Sequence, residues 1–575
     1  MKKLLNKLKF YNPLSLFWAY ILVILMIVAP WFLKSGHLFF TDMVWGTNIP
    51  LNWISSGFLL NLIIKGFSFV FSFAILEKIF IAAVLFLILF GGRVLVKAIL
   101  EYRDTDQGEK APIAVLSFPS RGSIFILSLF ALFNPFVYDR ALYGQFGILA
   151  AYGCLLFVLA YLLEASRTFN FKLLWRAALF TAIALLFSIH FIFLLVPFYL
   201  LFLISVFFRR QEIKAAGQTK KFWLALLFSF FIVLIVNANW LIALALKASP
   251  LANFVDQGIT AQDLAAFQTA GKTPGETLSN VLLMSGFWGK DQYRYLDLTT
   301  TPGWQRSFIF LAPLIIYGVF ISFRRRSKKE KIFSVGLILI FIAAVVLAFG
   351  VKVPLVRGLN LFLYDHLPFY KGLREPQKWV AVIIPIYLYY LTIGAAKLRQ
   401  AKIASANRAV AGVILAAVII MAAPSLLWGF NRQVIPTPYP ADWYETDQFL
   451  INRAAQSYGC NDRILFLPWH LYMHFNWVGK IVANPAPHFF TCQILSGTNM
   501  EWGGIYDNSQ SADGQIIAAW LADQGRSGAP LLAGSPVRYI ILAKEVDFAS
   551  YLWLNTRPYL QLIKETPTLL VYEIE

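Results

Sequence analysis

Charge is scarce in this sequence, and cysteine and histidine are scarcer. Of 575 residues, 14% are charged and 59% are hydrophobic; the mean hydropathy is +0.64. A water-soluble chain of this length carries a more polar surface, so a set of ordinary soluble domains is excluded. Three cysteines without a CxxC pair and six histidines offer no zinc-type spacing. His470 and His474 stand four apart with His488 downstream, but Pro468 precedes them and no carboxylate shares the motif. No metal ligands are therefore assigned. Internal repeats and low-complexity linkers are absent. Lys and Arg number 50 against 30 Asp and Glu. Many of these cations lie in short loops between apolar runs, and the chain is slightly acidic from about residue 430 onward. That distribution excludes a nucleic-acid footprint and points to membrane topology.

What the sequence does hold is long apolar runs, near 14–33, 75–92, 113–133, 146–165, 174–189, 191–208, 222–246, 307–323, 332–350, 379–396 and 409–429. Each is long enough to be read as a transmembrane helix, about eleven in all. The start, MKKLLNKLKF, has the charge of a signal peptide. The run from Leu14 to Leu33 is too long for one and no small-x-small site follows, so an uncleaved first helix is expected. With the N-terminus inside, Arg209, Arg210, Lys214, Lys220 and Lys221 fall in one cytoplasmic loop. Arg324, Arg325, Arg326, Lys328, Lys329 and Lys331 fall in the next, and Lys397, Arg399, Lys402 and Arg408 in another. All obey the positive-inside rule, and an odd helix count places the C-terminus outside. The expected fold is a polytopic α-helical membrane domain over 1–430, with an extracytoplasmic α/β domain over 431–575. In the latter RILFLPW (463–469), VRYIILA (537–543) and TLLVYEI (568–574) read as strands, and 440–456 and 514–524 as helices. Cys154 reads as core packing, whereas Cys460 and Cys492 fall in the outer domain, where a disulfide is permitted.

Polar candidates gather in the expected outer segments. Asp42 follows the first helix among Phe39, Phe40, Met43 and Trp45. An acid in apolar surroundings is costly to ionise. It reads either as a general base or as an interfacial helix cap. NPFVYDRALYGQ (134–145) packs Asp139 and Arg140 with other polar residues between two spans, as a polar site or a satisfied turn. KGLREPQKW (371–379) sets Lys371, Arg374 and Lys378 just before a span, against the positive-inside trend. Helical spacing would put them on one side, with Pro376 in the first turn. There they suit an anionic headgroup, with Glu375 orienting Arg374 or acting on substrate. Residues 34–74 also hold an apolar stretch with Lys65 that reads as an interfacial helix. Trp45, Trp288 and Trp304 are candidates to stack on sugar rings, and His190 reads as structural at a helix-pair turn.

LFFTDMVWG, NPFVYDRALYGQ and GLREPQKW together resemble segments of the GT-C superfamily of membrane glycosyltransferases, including YfhO-type proteins and bacterial arabinofuranosyltransferases of cell-wall assembly. The resemblance covers roughly 1–430. It implies a prokaryotic plasma-membrane enzyme that takes a sugar from a polyprenyl-phosphate donor and passes it to an extracytoplasmic glycan, lipid or protein acceptor, with inversion. It implies Asp42 as base, Arg374 and Lys378 as phosphate clamps, and Asp139 and Arg140 as substrate-binding support. The sequence has neither a paired-acid DxD in the first outer loop nor a WWD motif, so the cofactor is left unassigned, a divalent cation included. Two other readings fit the same topology: a flippase for lipid-linked sugars, and a non-enzymatic envelope assembly protein. The spans hold almost no central charge, which argues against an ion-coupled transporter.

Overall fold

The computed structural model describes residues 13–49, 51–102, 121–246, 261–292, 294–301, 304–324, 328–367, 369–399, 405–455, 463–498, 501–502, 505–506, 512–530 and 537–575. The charged N-terminal start, Arg325, Arg326, Lys402 and Cys460 lie outside the described residues.

Each expected apolar run is helical where described: α1 (Pro13–Phe32), then, after the short α2 (Phe58–Phe67), α3 (Phe73–Tyr102), α4 (Arg121–Leu132), α5 (Pro135–Tyr143) bent from it, α6 (Phe146–Thr168), α7 (Lys172–Phe187), α8 (Phe191–Phe208), α9 (Thr219–Val236), α10 (Arg306–Arg324), α11 (Lys328–Ala348), α12 (Val380–Arg399) and α13 (Ser405–Ile420). Among the described residues, 7 helices are long and apolar enough to cross a bilayer, or up to 9 if each bent pair is one span. The two pairs are α4 with α5, bent by 50°, and the end of α13 with Pro424–Asn431, bent by 73°. Of the remaining expected runs, the part Leu16–Phe32 of α1 is a shorter apolar helix, and α7 has 16 residues. The chain is an integral membrane protein. On α9 Trp223, Phe228, Phe230 and Ile235 are exposed, as suits a helix that faces lipid. The apolar stretch read as interfacial is α2, with Ile63 and Phe67 exposed and Ile64 buried.

The segment expected as a short outer loop is instead the buried helix α5. Its local signals explain it. Asn134 caps the helix by accepting from Val137 N (3.1 Å), Pro135 takes the first turn, and Gly144 ends it in the left-handed region at φ +90°.

The C-terminal part is a five-stranded sheet with helices on both faces. Its strands are β1 (Arg463–Leu467), β4 (Ile494–Leu495), β5 (Val537–Ala543), β6 (Leu560–Glu565) and β7 (Leu569–Ile574), in the order β4-β1-β5-β7-β6. β1 runs parallel to β4 and β5, while β7 pairs antiparallel with β5 and β6. Alternation along β1 sends Ile464 and Phe466 to one face, packed with Trp443 and Leu450 of α14 (Ala441–Ala455). Leu465 and Leu467 go to the other, with Ile517 and Trp520 of α15 (Ala512–Ala522). Burial on both faces is why RILFL reads as an unbroken apolar run. A separate hairpin pairs β2 (Tyr472–Phe475) with β3 (Lys480–Ala483). Cys492 is disulfide-bonded and Cys154 is a free, buried thiol.

α10 and α12 meet through glycine. A Cβ on Gly318 would lie 1.9 Å from the Tyr390 carbonyl oxygen, and one on Gly394 would lie 2.2 Å from that of Leu314. This contact fixes α12, and with it the segment just before α12 that carries the cations. Gly318→Ala is expected to cost about 1–3 kcal/mol by forcing the helices apart. The check is the thermal midpoint in detergent against Ile316→Ala, on the exposed face of the same helix; equal midpoints would refute the contact's role.

Candidate active site

Asp42 is carried at the tip of the loop after α1, held from two sides. On the side of the sheet, His37 and Thr437 exchange backbone hydrogen bonds (2.9 and 2.9 Å), Ala483 N donates to Thr41 O (2.8 Å), and Asn48 N donates to His488 O (3.0 Å). Phe39 and Val44 enter the same apolar cluster as Trp443 and Phe466. On the side of the helix bundle, Leu38 N donates to Glu77 Oε2 (2.9 Å) and Asp42 N donates to Tyr143 O (2.8 Å). The tip turn is closed by Phe40 N to Met43 O (3.0 Å). It sits directly on Gly144, where any Cβ would come within 2.6 Å of Phe40 Cβ.

From Asp42 a chain of hydrogen bonds runs into the bundle. Gln145 Nε2 donates to Asp42 Oδ2 (2.9 Å). Gln145 Oε1 accepts from Arg140 Nη1, which also donates to Glu375 Oε2. Glu375 Oε1 lies 3.6 Å from Lys378 Nζ, which donates to Gly372 O (3.2 Å). Arg140 is 1% exposed, Lys378 4% and Glu375 8%, so this is an ion cluster inside the protein rather than a surface bridge. The Arg140 guanidinium stands 4.6 Å from the Phe287 ring, and that of Arg374 stands 4.6 Å from the Phe267 ring. Arg140 Nη2 is buried without a hydrogen-bond partner among the described residues. Arg140 also lines a cavity with room for about one water (about 10 Å³), together with Phe136, Asp139, Ser285 and Gln377.

The electrostatics split the two carboxylates. Burial pushes Asp42 up to about 6; the Gln145 hydrogen bond opposes it, and the charge of Glu375 adds to it. Burial also raises Glu375, but Lys378 and Arg140 outweigh it and hold Glu375 well below the usual carboxylate range. His190 packs edge-on against Gly372, where a Cβ would lie 2.4 Å from its Cε1. Burial, then the charge of Lys378, keeps its imidazole neutral far below its usual range.

Of the expected site residues, the structure brings Asp42, Arg140, Glu375 and Lys378 into one network, with Arg374 at its edge. Glu375 bonds Arg140 and stands 3.6 Å from Lys378, and the charge of Arg374 also acts on it. Asp139, next to Arg140 on α5, accepts instead from Tyr295 OH (3.2 Å). Lys371 is half-buried and joins Arg374 through its backbone carbonyl (3.1 Å). The three cations were expected on one side of a single helix. Instead two 3₁₀ turns, Tyr370–Leu373 and Pro376–Trp379, precede α12 and break that phase. The tryptophans offered as sugar platforms are packed: Trp304 is buried and bonds Ala422 O (2.9 Å), Trp288 sits against Phe267 and Tyr143, and Trp45 lies against Phe80. Gln145, Tyr472 and Arg294 belong to the site without having been singled out. Among the described residues, no group of three His, Cys, Asp or Glu converges as metal ligands.

Because Glu375 holds two buried cations, Glu375→Gln is expected to cost about 3–5 kcal/mol. Its stabilising share is present above the unfolded carboxyl pKa and is lost only as pH falls through its depressed folded value. In a double-mutant cycle with Arg140→Met the losses should be strongly non-additive, read by thermal or denaturant unfolding. Additive losses would dissolve the cluster as a unit.

No family model matches the chain, and no curated protein matches it. Solved structures do. The arabinofuranosyltransferase AftD from Mycobacteria superposes over 98% of this chain at 13% identity and a TM-score of 0.56. This chain spans 40% of that protein's length. ArnT from Cupriavidus metallidurans, solved with undecaprenyl phosphate, aligns over 98% of both chains at 12% identity with a TM-score of 0.48. The first of these alignments shows that the chain shares its fold with that arabinofuranosyltransferase.

Proposed function

We propose that this protein is a membrane glycosyltransferase. It moves a sugar from a polyprenyl-phosphate donor to a hydroxyl on an extracytoplasmic glycan, lipid or protein acceptor, with inversion at the anomeric carbon. The observation that carries the reading is the connection itself. A carboxylate of raised proton affinity, Asp42, is joined through one amide, Gln145, to a buried cluster of Arg140, Glu375 and Lys378 at the same end of the helix bundle. The shared fold with a protein named as an arabinofuranosyltransferase supports sugar transfer.

In this chemistry the acceptor O–H gives its proton to the Asp42 carboxylate while its oxygen bonds to the anomeric carbon. The bond from that carbon to the donor's phosphate oxygen breaks, and the electron pair leaves with the polyprenyl phosphate. The leaving group is already an anion, so no strong acid is required. Cations must stabilise the charge that develops on it. Lys378 supplies a point charge, and Arg140 offers the Nη2 donor that no described protein atom accepts from. Arg374 stands beside Glu375 as a third cation. Asp42 works as a base only when ionised, so its raised value places the acid limb of activity near pH 6.

The test is full-length protein in vesicles, offered a panel of decaprenyl- and undecaprenyl-phosphate sugars, with release of polyprenyl phosphate as readout. Asp42→Asn, folded by thermal shift, is expected to lose about 10²–10⁴-fold in rate. In the parent protein kcat/KM should fall tenfold per pH unit below about 6. Arg374→Ala should act chiefly on the donor KM. Full transfer by Asp42→Asn would remove the base assignment.

A further inference from the structure

Both oxygens of Asp42 are already engaged. Oδ2 is held by Gln145, part of the bundle network. Oδ1 accepts from the phenol of Tyr472 (3.0 Å), 430 positions away on β2. Backbone pairing sets this contact. Tyr472 lies opposite Ala483 in the β2–β3 hairpin, and Ala483 N is the donor to Thr41 O, beside Asp42. The hairpin is not a strand of the five-stranded sheet. The Arg294 guanidinium lies 5.8 Å from the Tyr472 ring and 5.9 Å from that of Tyr143. The phenol thus fills a slot with the Asp42 carboxylate at its end and a flat cation and a second aromatic ring beside it.

An O–H donating to Asp42 is the contact an acceptor hydroxyl must make with its base before transfer. Tyr472 makes it now on Oδ1 while Gln145 holds Oδ2, so an acceptor hydroxyl that approaches Oδ1 along the phenol's line must move the ring aside. We infer that the Tyr472 side chain occupies the acceptor subsite, and that the acceptor is a ring-borne sugar hydroxyl that displaces it. The inference rests on Asp42 as base. The vacated space is that of a single ring, which a serine or threonine hydroxyl does not fill. Until the acceptor arrives, the plug also keeps water from the base and so protects the donor from hydrolysis.

The test uses full-length protein in vesicles with decaprenyl-phosphate arabinofuranose and any other donor active in the panel above. The acceptors are a methyl glycoside, an octyl glycoside, a serine peptide and water. Tyr472→Phe keeps the ring and deletes the O–H. It is expected to lower the glycoside KM about tenfold, and Tyr472→Ala to raise donor hydrolysis several-fold. Tyr472→Trp should raise the glycoside KM at least tenfold. The pH profile separates displacement from mere positioning. Asp42 faces Glu375, Arg140, Tyr143 and Tyr472, and the Tyr472 bond lowers its proton affinity in the free protein. Tyr472→Phe should therefore move the acid limb of kcat/KM upward and leave that of kcat in place, because in the complex the phenol has already gone. Methyl and octyl glycosides together report whether the sugar is free or lipid-borne. A donor-independent arm follows binding of methyl arabinofuranoside by saturation-transfer NMR, expected to strengthen in Tyr472→Ala and vanish in Tyr472→Trp. An unchanged glycoside KM, movement of both limbs, or a peptide accepted as well as the glycosides would overturn the inference. Activity retained by Asp42→Asn would instead overturn the base assignment, so the two failures are distinct.

Discussion

Glu375 is held between two buried cations, and the functional end of the molecule is arranged around that fact. A lone carboxylate at this depth would take up a proton, and a lone Arg140 or Lys378 there would be more costly still. Together they satisfy one another across two distant stretches of chain, α5 and the turns before α12. Neither stretch is a regular span. α5 is bent away from α4, and the cation segment is two 3₁₀ turns. In the cation segment Lys378 Nζ donates to the Gly372 carbonyl, a backbone acceptor that a straight helix would have paired internally.

The loop after α1 extends this constraint to the C-terminal part. It carries backbone bonds to the sheet side on one flank and to α3 and α5 on the other, so its position is over-determined. A loop so clamped holds its tip within a narrow range, which a base requires. The α/β part is thus no appendage. Through β2–β3 and the segments around Thr437 and His488 it sets the loop that presents Asp42, and through Tyr472 it reaches the carboxylate itself. Fold similarity over 98% of the chain includes this part as well as the spans.

The helices were legible because an apolar run of about twenty residues has few other physical fates. Three of the five strands, β1, β5 and β7, were legible for a related reason, burial on both faces, whereas the edge strands β4 and β6 are short or half-exposed and were not. Asp42, Arg140, Glu375 and Lys378 stood out because charge beside a span is costly and so is seldom incidental. What stayed hidden depended on phase and pairing. Asp139 and Arg140 cannot be told apart until 135–143 is known to be helical, since one residue then rotates the side chain by about 100°. The side on which Lys371 falls depends on 3₁₀ turns that helical spacing does not anticipate. Gln145 and Tyr472 are ordinary residues in ordinary surroundings. Only a bent helix and a hairpin docked on the first loop make them partners of Asp42, and no local pattern encodes either.

Charge balance ties the network to the proposed chemistry. Arg140, Arg374 and Lys378 face Glu375 and, when it is ionised, Asp42, so the site without substrate carries an excess positive charge. The phosphodiester of a polyprenyl-phosphate sugar brings one negative charge into that excess. In the proposed transfer Asp42 takes a proton and loses its charge, while the departing phosphate gains one. Negative charge therefore moves from one end of the network to the other without any change in the total that the protein must bury. The direction is favoured because the cations gather at the phosphate end, whereas Asp42 lies where burial already raises its proton affinity. A site built the other way, with its cations around the base, would hold Asp42 ionised and oppose the step it has to take.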